Sequence, residues 1–393
     1  MLQLPVGRAF LPLKDPLINF PGEYGQISEF VKHLPEYYME GTIREKIKKL
    51  PDLPVSHLEG ELLEAVMRDC HFILSAYYHA RGHEPPDYFP SNIARMAYYS
   101  AAKFGKPPIL SYCSYALNNW RSRFDEIKIT DNFDLVLKNI EILRKFTFTR
   151  DEEWFILIHI VIEGQAVGML KTMQTAFTER ALGDPSVLED CLIAIALVTS
   201  DLCKILSKMK EQCDPKTYAA QVRIPIQGFT NVVYEGVPEL KGQPASFFLG
   251  ETGAQSSIVP SLDAFLGIKH EEGTHIKFLA EHRYKYTSPA HRKFLLDVQA
   301  LSASRQTSVR ERVKKMGNSG VVKAAYNEAV SRLADFRAGH YQFFNDYIAT
   351  QIPPEKLSDY YGSMAEEGHR GTGGTFANKW LKKLHEETIA SLL

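Results

Sequence analysis

Residues 184–209 read DPSVLEDCLIAIALVTSDLCKILSKM, and the fold class turns on them. Asp184 followed by Pro185 is a helix N-cap followed by proline at the first helical position, where a missing N–H is no loss. From there Leu188, Leu192, Ile195, Thr199, Leu202, Ile205 and Met209 recur mostly every three or four residues, so they share one face of one helix. Ser288-Pro289 opens another helix in the same way. Asn318-Ser319-Gly320 precedes a long helical pattern over 321–352, which Pro353-Pro354 ends. Residues 154–177 are apolar nearly all round, the pattern of a helix in the middle of a domain.

In the first third, Leu62, Ala65, Val66, Cys70, Ile73, Leu74 and Tyr77 give residues 61–80 the same period. Residues 92–104 and 109–124 are shorter helical candidates, separated by Pro107-Pro108. Strand signals are confined to 221–226 and 231–234, both short enough to be extended loop. The expected fold class is all-α. A chain of 393 residues exceeds one ordinary core, and the polar run 147–153 is the natural place to divide it. This predicts a small N-terminal domain, 1–146, and a large helical domain, 147–393.

Lys plus Arg is 46 against 47 for Asp plus Glu, a balance that offers no field to attract nucleic acid or an anionic membrane. Five cysteines, an odd number with no CxxC pair, argue against a disulfide framework or a thiolate zinc site and for a reducing compartment. The first six residues, MLQLPV, lack the basic-then-apolar build of a secretory signal. The most apolar window, 154–170, is interrupted by His159, Glu163 and Gln165, which argues against a membrane span. The expectation is a cytoplasmic protein with no membrane partner.

Chemistry concentrates on the last long helix. Leu333, Phe336, His340, Phe343, Phe344 and Tyr347 lie on one face, so His340 points among apolar side chains. Such an imidazole is either a hydrogen-bonded core residue or an iron ligand on a rigid helix. Arg337 sits one turn earlier, as a surface cation or as the partner of a cofactor carboxylate. His159 lies in the buried helix, and two histidines from different apolar helices suggest groups on opposite faces of one flat cofactor. Gly371-Thr372-Gly373-Gly374-Thr375 is not GxGxxG and follows no strand, so it reads as a surface loop or a closing segment rather than a dinucleotide site. In His270-Glu271-Glu272-Gly273-Thr274-His275 the histidines are five apart and share no helix face, so the segment reads as a solvated loop.

Together these segments resemble the indoleamine 2,3-dioxygenase family of haem enzymes. Ser288-Pro289-Ala290-His291-Arg292-Lys293-Phe294-Leu295 is similar to that family's PAHR-x-FL segment. Arg337-Ala338-Gly339-His340 resembles its proximal-histidine helix, and residues 371–375 match its GTGGT loop. Val233-Tyr234-Glu235-Gly236, Ala254-Gln255-Ser256-Ser257 and Phe265-Leu266-Gly267-Ile268 precede them in the family's order. The match spans roughly 105–393 and is weaker before that.

The resemblance implies haem b with His340 as the proximal iron ligand and Arg337 near a propionate. It implies Arg223 on a substrate carboxylate, Thr372 on the substrate's amino-acid end and Tyr112 lining an indole pocket. Gly250 to Ala254 would lie over the cofactor edge, with Gly250 on the cofactor and Gly253 and Tyr218 on the substrate, and the N-terminal domain would cap the distal side. The implied reaction is insertion of O2 across the C2–C3 bond of L-tryptophan or a related indole, giving an N-formylkynurenine-type product. Three departures stand out. His159 occupies a position where mammalian members carry serine and tryptophan 2,3-dioxygenases use a distal histidine. Tyr218 and Ala219 replace two phenylalanines, and Gly250-Glu251-Thr252-Gly253-Ala254 replaces a Gly-Gly-Ser-Ala-Gly run. These reshape the distal pocket and leave room for two alternatives, a haem protein that monooxygenates another indole or one that only binds O2. A haem-free helical interaction protein is a third.

Overall fold

The computed structural model describes residues 7–244, 249–271, 284–316, 320–352 and 377–393. The helices that position the site are α1 (Gly60–Tyr78), α2 (Ser91–Lys103), α3 (Arg150–Gln165), α4 (Val167–Ala176), α5 (Pro185–Ser207), α6 (Ile258–Leu266), α7 (Pro289–Ala303), α8 (Gly320–Phe344) and α9 (Ala377–Ile389). Two small ribbons complete the described part. β1 (Tyr88–Phe89) runs parallel to β4 (Val233–Tyr234), and β2 (Trp120–Ser122) antiparallel to β3 (Ile140–Ile142). The fold is all-α, as the periodicity predicts.

Helix α5 begins as its sequence dictates, with the Asp184 carboxylate accepting the Ser186 N–H at 3.0 Å. Its stripe Leu188, Leu192, Ile195, Thr199, Leu202 and Ile205 is buried. That face lies along α8, whose own stripe Val322, Tyr326, Ala329, Val330 and Leu333 is buried in turn. Helix α9 covers α8 from another side, and α4 packs on α5. Ser288 caps α7 by accepting the His291 N–H at 3.3 Å.

The N-terminal portion is held by a buried charge cluster. Asp69 on α1 accepts from Arg68 at 2.7 Å and from Arg144 Nε and Nη2, each at 3.0 Å. Glu152 on α3 accepts the backbone N–H groups of Phe146 and Thr147, which fixes the approach to α3. The apolar core is one connected cluster that includes Ala9 and Leu381, so it crosses residues 146 and 147.

Four local expectations need correction. Residues 109–124 are not a helix: a π-helical turn over Cys113–Leu117 leads into β2, because Asn119 Nδ2 donates to Tyr115 and Arg144 carbonyls and draws the chain sideways. The apolar run 154–177 is two helices meeting at Ala166, where a Cβ on Gly164 would stand 2.4 Å from Ile129 and Gln165 reaches across to the Ile129 carbonyl. The long C-terminal pattern is α-helical only to Phe344 and continues as a π-helical turn over Asn345–Ala349. Residues 221–226 form no strand: 221 and 222 close another π-helical turn, Tyr218–Val222, and 223–226 continue as turn.

By length and composition residues Arg150–Ala176 qualify as a candidate membrane span, so His159, Glu163 and Gln165 do not disqualify them. Yet 72% of that window is buried inside the fold, the state of a core helix. All five cysteines are free thiols.

Candidate active site

One interior cavity gathers the predicted histidines. Its walls include Phe155 and His159 from α3, Leu206 from α5, Tyr218, the loop Glu251-Thr252-Gly253-Ala254, His340, Phe343 and Phe344 from α8, Tyr347, and Trp380 and Leu381 from α9. Apart from the two histidines, the lining is largely apolar and aromatic but for the strip 251–254, whose Gly253 lies beside His159.

His340 lies deep in the chain but keeps exposed surface, because it fronts this cavity. Burial, with the nearby His159 adding to it, pulls its pKa down to about 4, so the imidazole is neutral at physiological pH. A neutral imidazole with a free lone pair is the form that ligates iron. Among the described residues no three His, Cys, Asp or Glu side chains converge as a metal cage. His340 therefore suits an iron whose other donors come from a cofactor, and a largely apolar and aromatic cavity fronted by both histidines fits a haem.

His159 Nδ1 lies 2.8 Å from the Phe155 carbonyl oxygen. A carbonyl only accepts, so Nδ1 carries the proton and Nε2 of the neutral ring is an acceptor. Burial lowers this pKa too, partly opposed by that hydrogen bond. Nε2 faces the cavity beside Gly253, where an added Cβ would stand 3.8 Å away. The His159 ring packs on Phe155 at 4.5 Å and stands edge-on to Tyr112 at 5.8 Å.

Tyr112 sits one layer behind the wall. Its hydroxyl donates to Glu163 Oε1 at 3.0 Å, and Ser256 donates to the same oxygen at 2.6 Å. Glu163 is fully buried and its pKa rises to about 7 through desolvation. Tyr218 fronts the cavity as expected, with its ring 4.9 Å from Phe155 and 5.7 Å from Tyr347. Arg223 follows one turn later, its N–H donating to the Tyr218 carbonyl at 2.9 Å. It is wholly buried and is not among the wall residues named above.

Two expected cofactor contacts take other forms. Arg337 does not front the cavity: its guanidinium donates to Asp263 at 2.6 Å and to the Thr388 hydroxyl, bracing α8 against α6 and α9. Gly250 is required by backbone packing rather than by a cofactor, since a Cβ there would lie 2.3 Å from the Ile226 carbonyl oxygen. His270, expected in a solvated loop, joins the Arg337 network, 2.6 Å from Glu387 and 3.3 Å from Asp263. Burial opposes its charge, but these carboxylates outweigh that and raise its pKa. Thr372 and the rest of the glycine loop, with His275, lie outside the described residues.

Sequence reasoning placed the run 250–254 at the cofactor edge without singling out Glu251, and it missed Trp380 as a wall residue. Glu251 is buried, and desolvation raises its pKa to about 8, so the wall presents a protonated carboxyl at neutral pH. Its signal was available, as the acidic member of the altered glycine run. Trp380 gave none.

Known proteins resemble this chain over nearly its whole length. The family model described as "Indoleamine 2,3-dioxygenase" matches residues 3–391. Indoleamine 2,3-dioxygenase 1 of Rattus norvegicus is 31% identical, over 97% of this chain and 92% of its own. Indoleamine 2,3-dioxygenase of Saccharomyces cerevisiae is 30% identical, over 97% and 91%. A 6-hydroxytryptophan 2,3-dioxygenase of Fusarium equiseti is 26% identical, over 98% and 95%.

Proposed function

The chain belongs to the indoleamine 2,3-dioxygenase family and is a dioxygenase, and from that premise we propose that it holds one haem b through His340 and cleaves the C2–C3 bond of L-tryptophan or a closely related indole. The observation that carries this reading is the pair His340 and His159, which come from two different helices and front one cavity with a largely apolar and aromatic lining. Bound there, the haem would supply dioxygen activation.

The chain's own work is positioning. Phe155 and Tyr218 offer aromatic faces to an indole. His159 Nε2, held as an acceptor, takes the hydrogen bond of an indole N–H. Arg223 supplies a guanidinium for the substrate carboxylate, a planar fork matched to a planar anion. Family resemblance assigns Thr372, outside the described residues, to the substrate's amino-acid end. The result is an indole held within reach of the oxygen it must meet, the main contribution a protein makes to such a reaction.

Glu251 favours a second substrate within the same chemistry. A protonated carboxyl in the wall is a hydrogen-bond donor as well as an acceptor, which suits an indole bearing a ring hydroxyl. A relative whose name states 6-hydroxytryptophan supports keeping that substrate in view.

The test is product analysis by mass spectrometry under ¹⁸O₂ with L-tryptophan and with hydroxytryptophans. Two labelled oxygens in a formylkynurenine-type product are expected. One label, or no turnover of any indole, would turn the assignment toward monooxygenation or oxygen binding.

A further inference from the structure

Lys106 and Cys113 form a pair that the reading above does not use. Gly105, at φ +60°, ends the turn after α2 in a left-handed conformation, and the chain then turns inward instead of continuing along the surface. Lys106 is consequently buried, with only 9% of its surface exposed. Its Nζ lies 2.9 Å from Cys113 Sγ. That is the only hydrogen bond the side chain makes among the described residues, and no carboxylate there comes within ion-pair distance. A buried lysine nitrogen whose partners are one thiol and the face of the Phe104 ring, 5.8 Å away, is costly to maintain, so its placement calls for a reason.

The other titratable groups around it are Glu64, His71 and His291. Burial first, then the charge of Lys106, holds both histidines at about 3, so they are neutral. Burial raises Glu64, and Lys106 opposes that rise. None of these groups competes for Sγ. Cys113 is half-buried and lines a small enclosed space with Tyr112, Glu163, Gln255, Ser256 and His291.

We propose that Lys106 and Cys113 are a redox modification site, closed by dioxygen into a covalent N–O–S bridge between Nζ and Sγ. The 2.9 Å gap is too long for a direct S–N bond and close to what one bridging atom spans. In the step the lysine first gives its extra proton to solvent; one N–H bond of the amine, the S–H bond and the O–O bond then break. An N–O and an O–S bond form. Nitrogen and sulfur each give up two electrons, and these four reduce dioxygen to the bridging oxygen and one water, which takes the two released hydrogens. Thiol chemistry reverses it, consuming four electrons. The bridge spans Pro107-Pro108 and ties down the residue next to Tyr112, whose ring stands against His159. Dioxygen tension would thus act on the back of the distal wall. The inference needs no cofactor in the cavity and stands apart from the proposed reaction.

Full-length protein is held under air or under argon with dithiothreitol, digested with trypsin, and the peptide 104–121 weighed. The bridge predicts a gain of about 14 Da under air, one oxygen in and two hydrogens out, and about 2 Da more under ¹⁸O₂. The gain should vanish with dithiothreitol, block alkylation of Cys113, and be absent from Lys106→Arg and Cys113→Ser. An unchanged mass after prolonged aeration, an oxygen that originates from water, or a gain that survives in Lys106→Arg would overturn the proposal.

Discussion

His159 donates from Nδ1 to the Phe155 carbonyl, one turn back on α3, at 2.8 Å. That single bond fixes the tautomer and leaves Nε2 as a hydrogen-bond acceptor on the cavity wall, beside Gly253. A distal group of this kind reads the indole N–H rather than donating to its partner.

His159→Ala should therefore lower kcat/KM for tryptophan by about tenfold, the scale of one lost hydrogen bond of roughly 1.4 kcal/mol. The same change should leave N1-methyltryptophan, which has no N–H, almost unaffected. Steady-state kinetics on both substrates checks this. Equal losses on both would remove the acceptor role.

Arg223→Ala should weaken tryptophan binding by at least about 2 kcal/mol, because the substrate carboxylate loses a desolvated charged partner. A binding titration decides it. Indole itself, with no carboxylate, should bind wild type and variant alike.

Arg337 and Asp263 make the most buried ion pair on α8, with side chains 6% and 16% exposed. Removing Arg337 leaves the buried Asp263 with only His270, 3.3 Å away, among its described ion-pair partners, at a cost of about 3 kcal/mol. Arg337→Met should lower thermal stability by that scale even in protein prepared without haem. A loss seen only in haem-loaded protein would return Arg337 to the propionate role that family resemblance implies.

Glu251 gives a pH signature. Burial raises its carboxyl from 4.5 to about 8, so the folded chain keeps a proton that the unfolded chain releases across that window. Its contribution to stability is fullest below pH 4.5, declines as pH rises, and is gone above about 8. Glu251→Gln removes this titration. Its stability relative to wild type should grow from near zero at pH 4.5 to on the order of 3 kcal/mol at pH 9. Denaturant melts across pH check it, and a difference independent of pH would show that Glu251 does not titrate as described. Glu163 slopes the same way up to about pH 7, equally in both proteins.

Much of this was legible in the chain. Asp184-Pro185 and the Leu188-to-Met209 stripe announce α5 because capping and helical period are local. His340 was visible for the same reason, a polar residue on an apolar face. What was not legible depends on distant partners. Arg337 looked like a cofactor ligand because Asp263, 74 residues away, and Thr388, 51 residues away, cannot be paired with it by spacing. Gly250 looked like a cofactor contact because its real constraint, the Ile226 carbonyl, belongs to another loop. Residues 109–124 looked helical because nothing local reveals that Asn119 bonds across to Arg144.

The most direct test is the ultraviolet–visible spectrum and iron content of protein expressed with haem precursor, wild type beside His340→Ala. A Soret band with about one iron per chain in wild type, shifting on addition of L-tryptophan, and neither band nor iron in the variant, is the expected result. A variant that keeps a full Soret band and native iron would contradict it.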